Sequence, residues 1–255
     1  MAAQGEWYGG CRMPAIRAAG KSDVGSHRER NEDSYLLFPP VDEHDAALYV
    51  VADGMGGHVA GEVASSIAVN TIGSFFRKNV AGTLVDRIRE AVEASSVDIY
   101  ETGQMSGRQG MGSTVVCAVI QGERLVSAHV GDSRLYRVRD GEIERVTHDH
   151  SWVQAQVDSG VLTPEQAETF EARNIITRAL GVEPTVEVET KELDVRVGDR
   201  YVLCSDGLHG LVKDREIAEQ VMAATPEEAC DRLIAMANDR GGPDNVTAIV
   251  IEIVE

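Results

Sequence analysis

Six carboxylates of this chain stand where an apolar run ends or a tight polar turn begins. "VVADG" places Asp53, "HVGDSR" Asp132, "YVLCSDGL" Asp206 and "GGPDNVTAIV" Asp244; "RERNEDS" adds Glu32 and Asp33. Desolvating an ionised acid costs on the order of several kcal/mol unless something compensates. One such acid is a turn or cap residue. Several at strand edges point to a shared counter-charge. Oxygen donors without an accompanying Cys or His set favour hard cations, Mg²⁺ or Mn²⁺. Gly54 follows Asp53 and would let a backbone carbonyl approach an ion closely.

Three other chemistries are suggested and fail on their own terms. "AIRAAGKS" (15–22) is a loosened phosphate-loop pattern. That loop needs a buried strand before it and a helix after it, because helix N–H groups cradle the phosphates. Neither flanks it here. "CRMPAIR" (11–17) has the Cys-x5-Arg spacing of thiol phosphatases, but Pro14 removes an N–H from the cradle a thiolate needs. "GMGGHVAG" breaks the G-x-G-x-x-G dinucleotide pattern at Val59.

The elements that must position the acids read as follows. "ALYVVAD" is a buried strand. Residues 60–79 and 83–102 carry helical periodicity. From 113 the pattern alternates and breaks at Gln121-Gly122 and Asp140-Gly141, two hairpin signals that predict an antiparallel meander. "TPEQAE" and "TPEEAC" both read as capping-box helix starts with Pro in the first turn. Strands return at 185–192, in "DRYVLCSD" and in "NVTAIVIEIV". Adjacent strands joined by two-residue turns favour antiparallel sheets with helices packed outside.

The 255 residues suffice for one large domain or two small ones. We expect a single domain over 14–255 after a loose extension, 1–13, in which Met13 is an alternative start. With 24 Lys and Arg against 42 Asp and Glu, the net charge of −18 argues against nucleic-acid partners and anionic membranes. No apolar run approaches the ~20 residues of a membrane span, and no signal peptide is evident. Cys11, Cys117, Cys204 and Cys230 form no CxxC pair, which suggests a reducing, cytoplasmic setting.

"RERNEDS", "VVADGMGGHVAGEVAS", "GMGSTVV", "VGDSRLYR", "THDHS", "LCSDGL" and "PDNVTAIVI", in this order, resemble the motifs of the metal-dependent protein phosphatases. These are the type 2C-like serine/threonine phosphatases, here in their compact bacterial form. The resemblance covers about 14–255. It implies an α+β fold: two antiparallel β-sheets in a central sandwich, flanked on both sides by helices, with a binuclear Mn²⁺ or Mg²⁺ centre at one end.

By the same resemblance, Asp53 bridges two ions and the Gly54 carbonyl binds one of them. Asp206 and Asp244 complete that ion's protein ligands, and Glu32 and Asp33 serve the second. Asp132 looks like the ligand of a third, weaker ion shared with Asp206. Arg28 matches the arginine that grips phosphate. Many eukaryotic relatives keep a proton-donating histidine where this chain has Met55; His58 is the nearest candidate, with water or a positioning role as the alternatives. His148 and His150 read as turn and helix-start residues. Residues 150–180 would form the variable flap, with Arg173 and Arg178 as candidate phosphopeptide contacts. The implied activity is hydrolysis of phosphoserine and phosphothreonine in proteins, opposing a Hanks-type kinase, by a monomer. A pseudophosphatase that only binds is the rival; it predicts gaps in the acidic set, and there are none.

Overall fold

Alternate residues of the run Ala47–Ala52 enter two different cores. Leu48, Val50 and Ala52 pack into one cluster, while Ala47, Tyr49 and Val51 pack into another. A strand's side chains alternate faces, so a strand apolar throughout must be covered on both sides. The computed structural model, which describes residues 15–40, 45–56, 60–78, 81–105 and 110–255, provides that cover.

The chain opens with β1 (Ala15–Asp23), β2 (Asp33–Phe38) and β3 (Ala47–Met55), then α1 (Ala60–Lys78) and α2 (Leu84–Gly103). Next come β4 (Gly112–Ser113), β5 (Val115–Gln121), β6 (Arg124–Val130), β7 (Arg134–Arg139) and β8 (Glu142–Arg145). The short helices α3 (Trp152–Asp158) and α4 (Pro164–Glu168) precede β9 (Glu189–Asp194) and β10 (Arg200–Cys204). The chain ends with α5 (Asp206–His209), α6 (Asp214–Met222), α7 (Pro226–Asp239) and β11 (Val246–Val254).

One sheet runs β1-β11-β10-β7-β8 and the other β2-β3-β5-β6-β9, with β4 added to β3. All the pairings are antiparallel. Tyr49, Val51, Tyr201, Leu203, Ile249 and Ile251 fill the space between the sheets. Ile72, Phe76 and Ile88 of α1 and α2 cover the outside of one sheet; Ile217, Leu233 and Ile234 of α6 and α7 cover the other. Each fully buried Leu, Ile or Val contributes about 1.5–3 kcal/mol. The four-layer αββα sandwich agrees with the fold expected from the sequence. No described helix is long and apolar enough to cross a membrane.

The helices lie within two residues of their expected ends. Thr83, Thr163 and Thr225 each cap a helix reciprocally with the third helical residue, Asp86, Gln166 and Glu228. The hairpin signals are also correct: Gly122, Asp140 and Gly141 all have positive φ.

Three expectations need correction. The meander from 113 is not one sheet: β5–β6 belongs to one and β7–β8 to the other. The chain changes sheet at Gly131-Asp132-Ser133, where Gly131 takes φ +104. The strand placed at 185–192 starts only at Glu189, where pairing with His129 begins. "AIRAAGKS", read as a failed phosphate loop, lies in strand β1, which is paired along its length with β11. It is an edge strand, half exposed, so it carries no apolar run to announce it.

Candidate metal centre

The ladder between β2 and β3 sets Asp33 opposite Asp53. Glu32 precedes this pair, and its carbonyl accepts from the Gly54 N–H at 3.0 Å. The backbone of Asp53 is pinned on its other edge. Its N–H donates to Thr114 Oγ1 at 3.2 Å, and its carbonyl accepts from Thr114 N at 2.8 Å and Ser113 Oγ at 3.0 Å.

The second sheet supplies the other acids. Asp206 opens α5, separated from β10 by Ser205 alone, and Asp244 stands two residues before β11. Asn245 binds this loop to the first acids: its Oδ1 accepts from Glu32 N at 2.8 Å and its Nδ2 donates to the Arg30 carbonyl at 2.8 Å. Ser205 Oγ and Thr247 Oγ1 each donate to Asp33 Oδ2 at 2.7 Å, tying the sheets together at this end. Asp132 lies at the crossing between the sheets, 6% exposed.

Two observations test whether a cation fits. Asp33 Oδ1 and Asp206 Oδ1 are buried and have no hydrogen-bond partner among the described residues; such orphans are rare without an ion or water to satisfy them. Gly61, in the first turn of α1, faces a small cradle: a Cβ there would lie 2.8 Å from Glu32 Oε1 and 2.9 Å from the Gly54 carbonyl oxygen. These two oxygens therefore converge on one spot that only a glycine leaves open. The donors are hard oxygens, as Mg²⁺ or Mn²⁺ requires. The residues fit.

The electrostatics agree. Burial first, then the neighbouring acids Asp206 and Asp244, push the Asp33 carboxyl up to about 7 against the hydrogen bonds from Thr247 and Ser205. Burial and Asp244 raise Asp206 to about 6, and burial with Asp206 raises Asp132 to about 8. Asp53 is held well above the usual carboxylate range by burial and by the charges of Asp33, Asp206, Asp132 and Asp244. Bare, these carboxylates cannot all ionise cheaply. Arg28 supplies positive charge at the rim, with Nη2 2.8 Å from Asp244 Oδ2.

Thus Glu32, Asp33, Asp53, Gly54, Asp132, Asp206 and Asp244 gather at one end of the sandwich, with Arg28 beside them. His58 lies outside the described residues, as do Cys11 and Met13. Arg178 is committed to Glu187 at 3.0 Å, and Arg173 donates to the Glu168 carbonyl at 3.1 Å while remaining exposed.

Among the described residues, the group of three such side chains whose ligand atoms all lie within 4.8 Å of one another is not drawn from these acids but is His129, His150 and Glu189. Three of its four ring nitrogens are engaged. His150 Nδ1 accepts from Gly131 N at 3.1 Å, which leaves its proton on Nε2, facing Glu189 Oε2 at 3.3 Å. His129 Nε2 donates to the His148 carbonyl at 2.8 Å, and the two rings stack with centroids 4.7 Å apart. Arg178 Nη1, 3.2 Å from His150 Nε2, is the cation of this cluster. The trio is a packing unit that fastens residue 150 to the sheet.

The supports Ser113, Thr114, Ser205, Asn245 and Thr247 were not legible as site residues. Asn245 and Thr247 had one faint signal, as polar residues where "PDNVTAIV" turns apolar.

Acids drawn from both sheets to one end of an αββα sandwich define the metal-dependent phosphatase class. A protein phosphatase 2C profile matches residues 25–233, and the chain belongs to that family. It is 40% identical over 244 residues to the serine/threonine protein phosphatase PstP of Mycobacterium tuberculosis, across 94% of this chain but only 45% of that protein's length. It is 35% identical to the serine/threonine phosphatase stp of Listeria monocytogenes, across 93% of this chain and 96% of that protein. The crystal structure of the catalytic domain of PstP in complex with two manganese ions superposes with a TM-score of 0.84 at 39% identity, covering 95% of this chain and all of that one.

Proposed function

We propose that this chain hydrolyses phosphoserine and phosphothreonine monoesters in proteins, using Mn²⁺ or Mg²⁺, and so reverses the work of a serine/threonine kinase in the cytoplasm. The whole activity resides in one domain over 14–255. The observation that carries the reading is the pair of buried acid oxygens, Asp33 Oδ1 and Asp206 Oδ1, that have no hydrogen-bond partner among the described residues. A cluster that only bound a protein partner would have no need of them.

Asp53, the Gly54 carbonyl, Asp206 and Asp244 would hold one ion, with Asp53 shared. Asp53, Glu32 and Asp33 would hold the second, and Asp132 with Asp206 a weaker third. Bound metal supplies an activated water at neutral pH and neutralises charge on the phosphoryl oxygens. Arg28 orients the phosphate through planar, bidentate donation. Its present partner, Asp244, sets the direction of the guanidinium toward the acids. Ser205 and Thr247 keep the Asp33 carboxylate turned so that Oδ1 faces inward. No side chain need form a phosphoenzyme. His58 is the candidate proton donor to the leaving group.

The test is hydrolysis of p-nitrophenyl phosphate and a phosphothreonine peptide with Mn²⁺, with EDTA, and in Asp53→Asn and Asp206→Asn. Activity with Mn²⁺ and its loss with EDTA and in both substitutions are expected, with Cys11→Ser unchanged. Activity that persists through EDTA and both substitutions would sink the metal mechanism.

A further inference from the structure

Asp132 and Asp206 come from different parts of the chain, yet a hydrogen bond joins their backbones through one side chain. His209 Nε2 lies 3.0 Å from the Asp132 carbonyl oxygen. The acceptor is a carbonyl, so Nε2 carries the proton.

His209 is well placed to act as a strut. Asp206 and His209 are the first and last residues of α5, three apart, a spacing that puts both on one side of a helical turn. The turn itself cannot shift. A Cβ at Gly207 would lie 2.0 Å from the Asn245 carbonyl oxygen, so α5 is pressed against the start of β11. Gly210 N closes the turn onto the Asp206 carbonyl at 2.8 Å.

The residues either side of Asp132 are held from elsewhere. Gly131 exchanges hydrogen bonds with His150, through N–H to Nδ1 at 3.1 Å and carbonyl to His150 N at 2.9 Å. Ser133 Oγ pairs with Thr114 Oγ1 at 2.8 Å. Neither contact reaches the Asp206 turn.

We propose that His209 is a positioning residue: it ties the Asp132 crossing to the Asp206 turn and thereby sets the affinity of the cation that these two acids share. This rests on the metal-centre reading above. The role touches no substrate and no reacting atom; it acts through the Asp132 backbone. Removing a group that orients a metal ligand typically weakens binding about 10- to 100-fold.

The experiment is a Mn²⁺ binding isotherm by calorimetry on the full chain, resolved into tight and weak classes. Asp132→Asn identifies the weak class by abolishing it. His209→Ala should weaken that class about 10- to 100-fold and leave the tight class within about threefold. His209→Gln, which keeps an N–H donor, should restore most of the loss. Should the alanine variant not fold, His209→Met, which fills similar space without a donor, replaces it against the same glutamine variant. A weak class unmoved by the loss of the donor, or a glutamine variant as impaired as alanine, overturns the strut. A wild-type isotherm with no class lost in Asp132→Asn overturns it differently, by removing the reading of Asp132 on which it stands.

Discussion

Asp33 and Asp53 face each other directly across the β2–β3 ladder. Like charges in that position destabilise a sheet, and here Asp206, Asp132 and Asp244 add to the field on Asp53. The fold therefore stores repulsion at one end, and the consequences can be measured.

The first concerns pH. Asp33, Asp132 and Asp206 have folded-state values raised to about 7, 8 and 6 in the metal-free protein. A raised folded pKa contributes stability below the unfolded value, near 3.8, and loses it as pH climbs through the folded value. Buried His150 and His209, held down to about 4 and about 3, act oppositely: they add stability as pH rises toward about 6.5. Above pH 7 their contribution is nearly complete, and the groups that still change are the carboxyls and, toward pH 8.5, the buried thiols Cys117, Cys204 and Cys230, which burial raises and which act in the same direction. The Tm of metal-free protein should fall between pH 7 and 8.5. Saturating Mn²⁺ displaces the protons, so its stabilisation should grow over that interval, reaching about 2.7 kcal/mol at a hundred times Kd, or roughly 5–10 °C. A thermal-shift series with EDTA and with Mn²⁺ checks this; equal metal-induced shifts at both pH values would count against it.

Asp53→Asn should separate stability from function. It removes one charge from the centre of the repulsion, so the metal-free variant should melt higher than wild type by about 2–4 °C, roughly 1 kcal/mol. Mn²⁺ should then add little, and phosphatase activity should fall at least about a hundredfold, as loss of an essential catalytic group does. A lower metal-free Tm would show that Asp53 is structurally required rather than electrostatically strained.

Gly54 and Gly61 should fail in different ways. A Cβ at Gly54 would lie 2.0 Å from the Gly61 backbone carbonyl oxygen, a group that cannot yield. Gly54→Ala should destabilise the protein by about 1–3 kcal/mol or more. At Gly61 the nearest atoms belong to the flexible Glu32 carboxylate, at 2.7 and 2.8 Å. Gly61→Ala also gains helix propensity, about 1 kcal/mol at most. It should cost less stability than Gly54→Ala, because its one backbone contact, the Gly54 carbonyl oxygen, lies at 2.9 Å, while weakening Mn²⁺ binding. Calorimetry and melting on both variants separate the two cases.

Arg28 is exposed and bonded to Asp244, so it should contribute little to folding. Arg28→Ala should lower kcat/KM on a phosphopeptide about 10- to 100-fold, the range for one charge-assisted contact of roughly 1.5–3 kcal/mol. Arg28→Lys should recover only part, because an ammonium lacks the bidentate fork. An unchanged kcat/KM in the alanine variant would move phosphate recognition elsewhere.

Much of this was readable before any coordinates. Asp53, Asp206 and Asp244 stood out because an acid at the end of an apolar strand is anomalous by residue type alone. The capping boxes at Thr163 and Thr225 and the turns at Gln121-Gly122 and Asp140-Gly141 are local, set by backbone preferences within four or five residues, so they too were legible. β1 and β9 were missed or shifted because edge strands need no apolar run. The single meander was misjudged because alternation reports that a strand has two faces, not which neighbour it pairs with.

What the sequence by itself determined is the inventory: hard oxygen donors, one arginine, glycines beside the acids, and strands apolar on both faces. These follow from side-chain chemistry and short-range periodicity. Only the tertiary structure decided that the chain changes sheets at Asp132, that Ser205 and Thr247 reach across to Asp33, and that His209 meets the Asp132 carbonyl. Those contacts join residues up to 214 positions apart. Nothing local encodes them; they exist because two sheets, each with an apolar inner face, must bury those faces against each other, and their ends then meet.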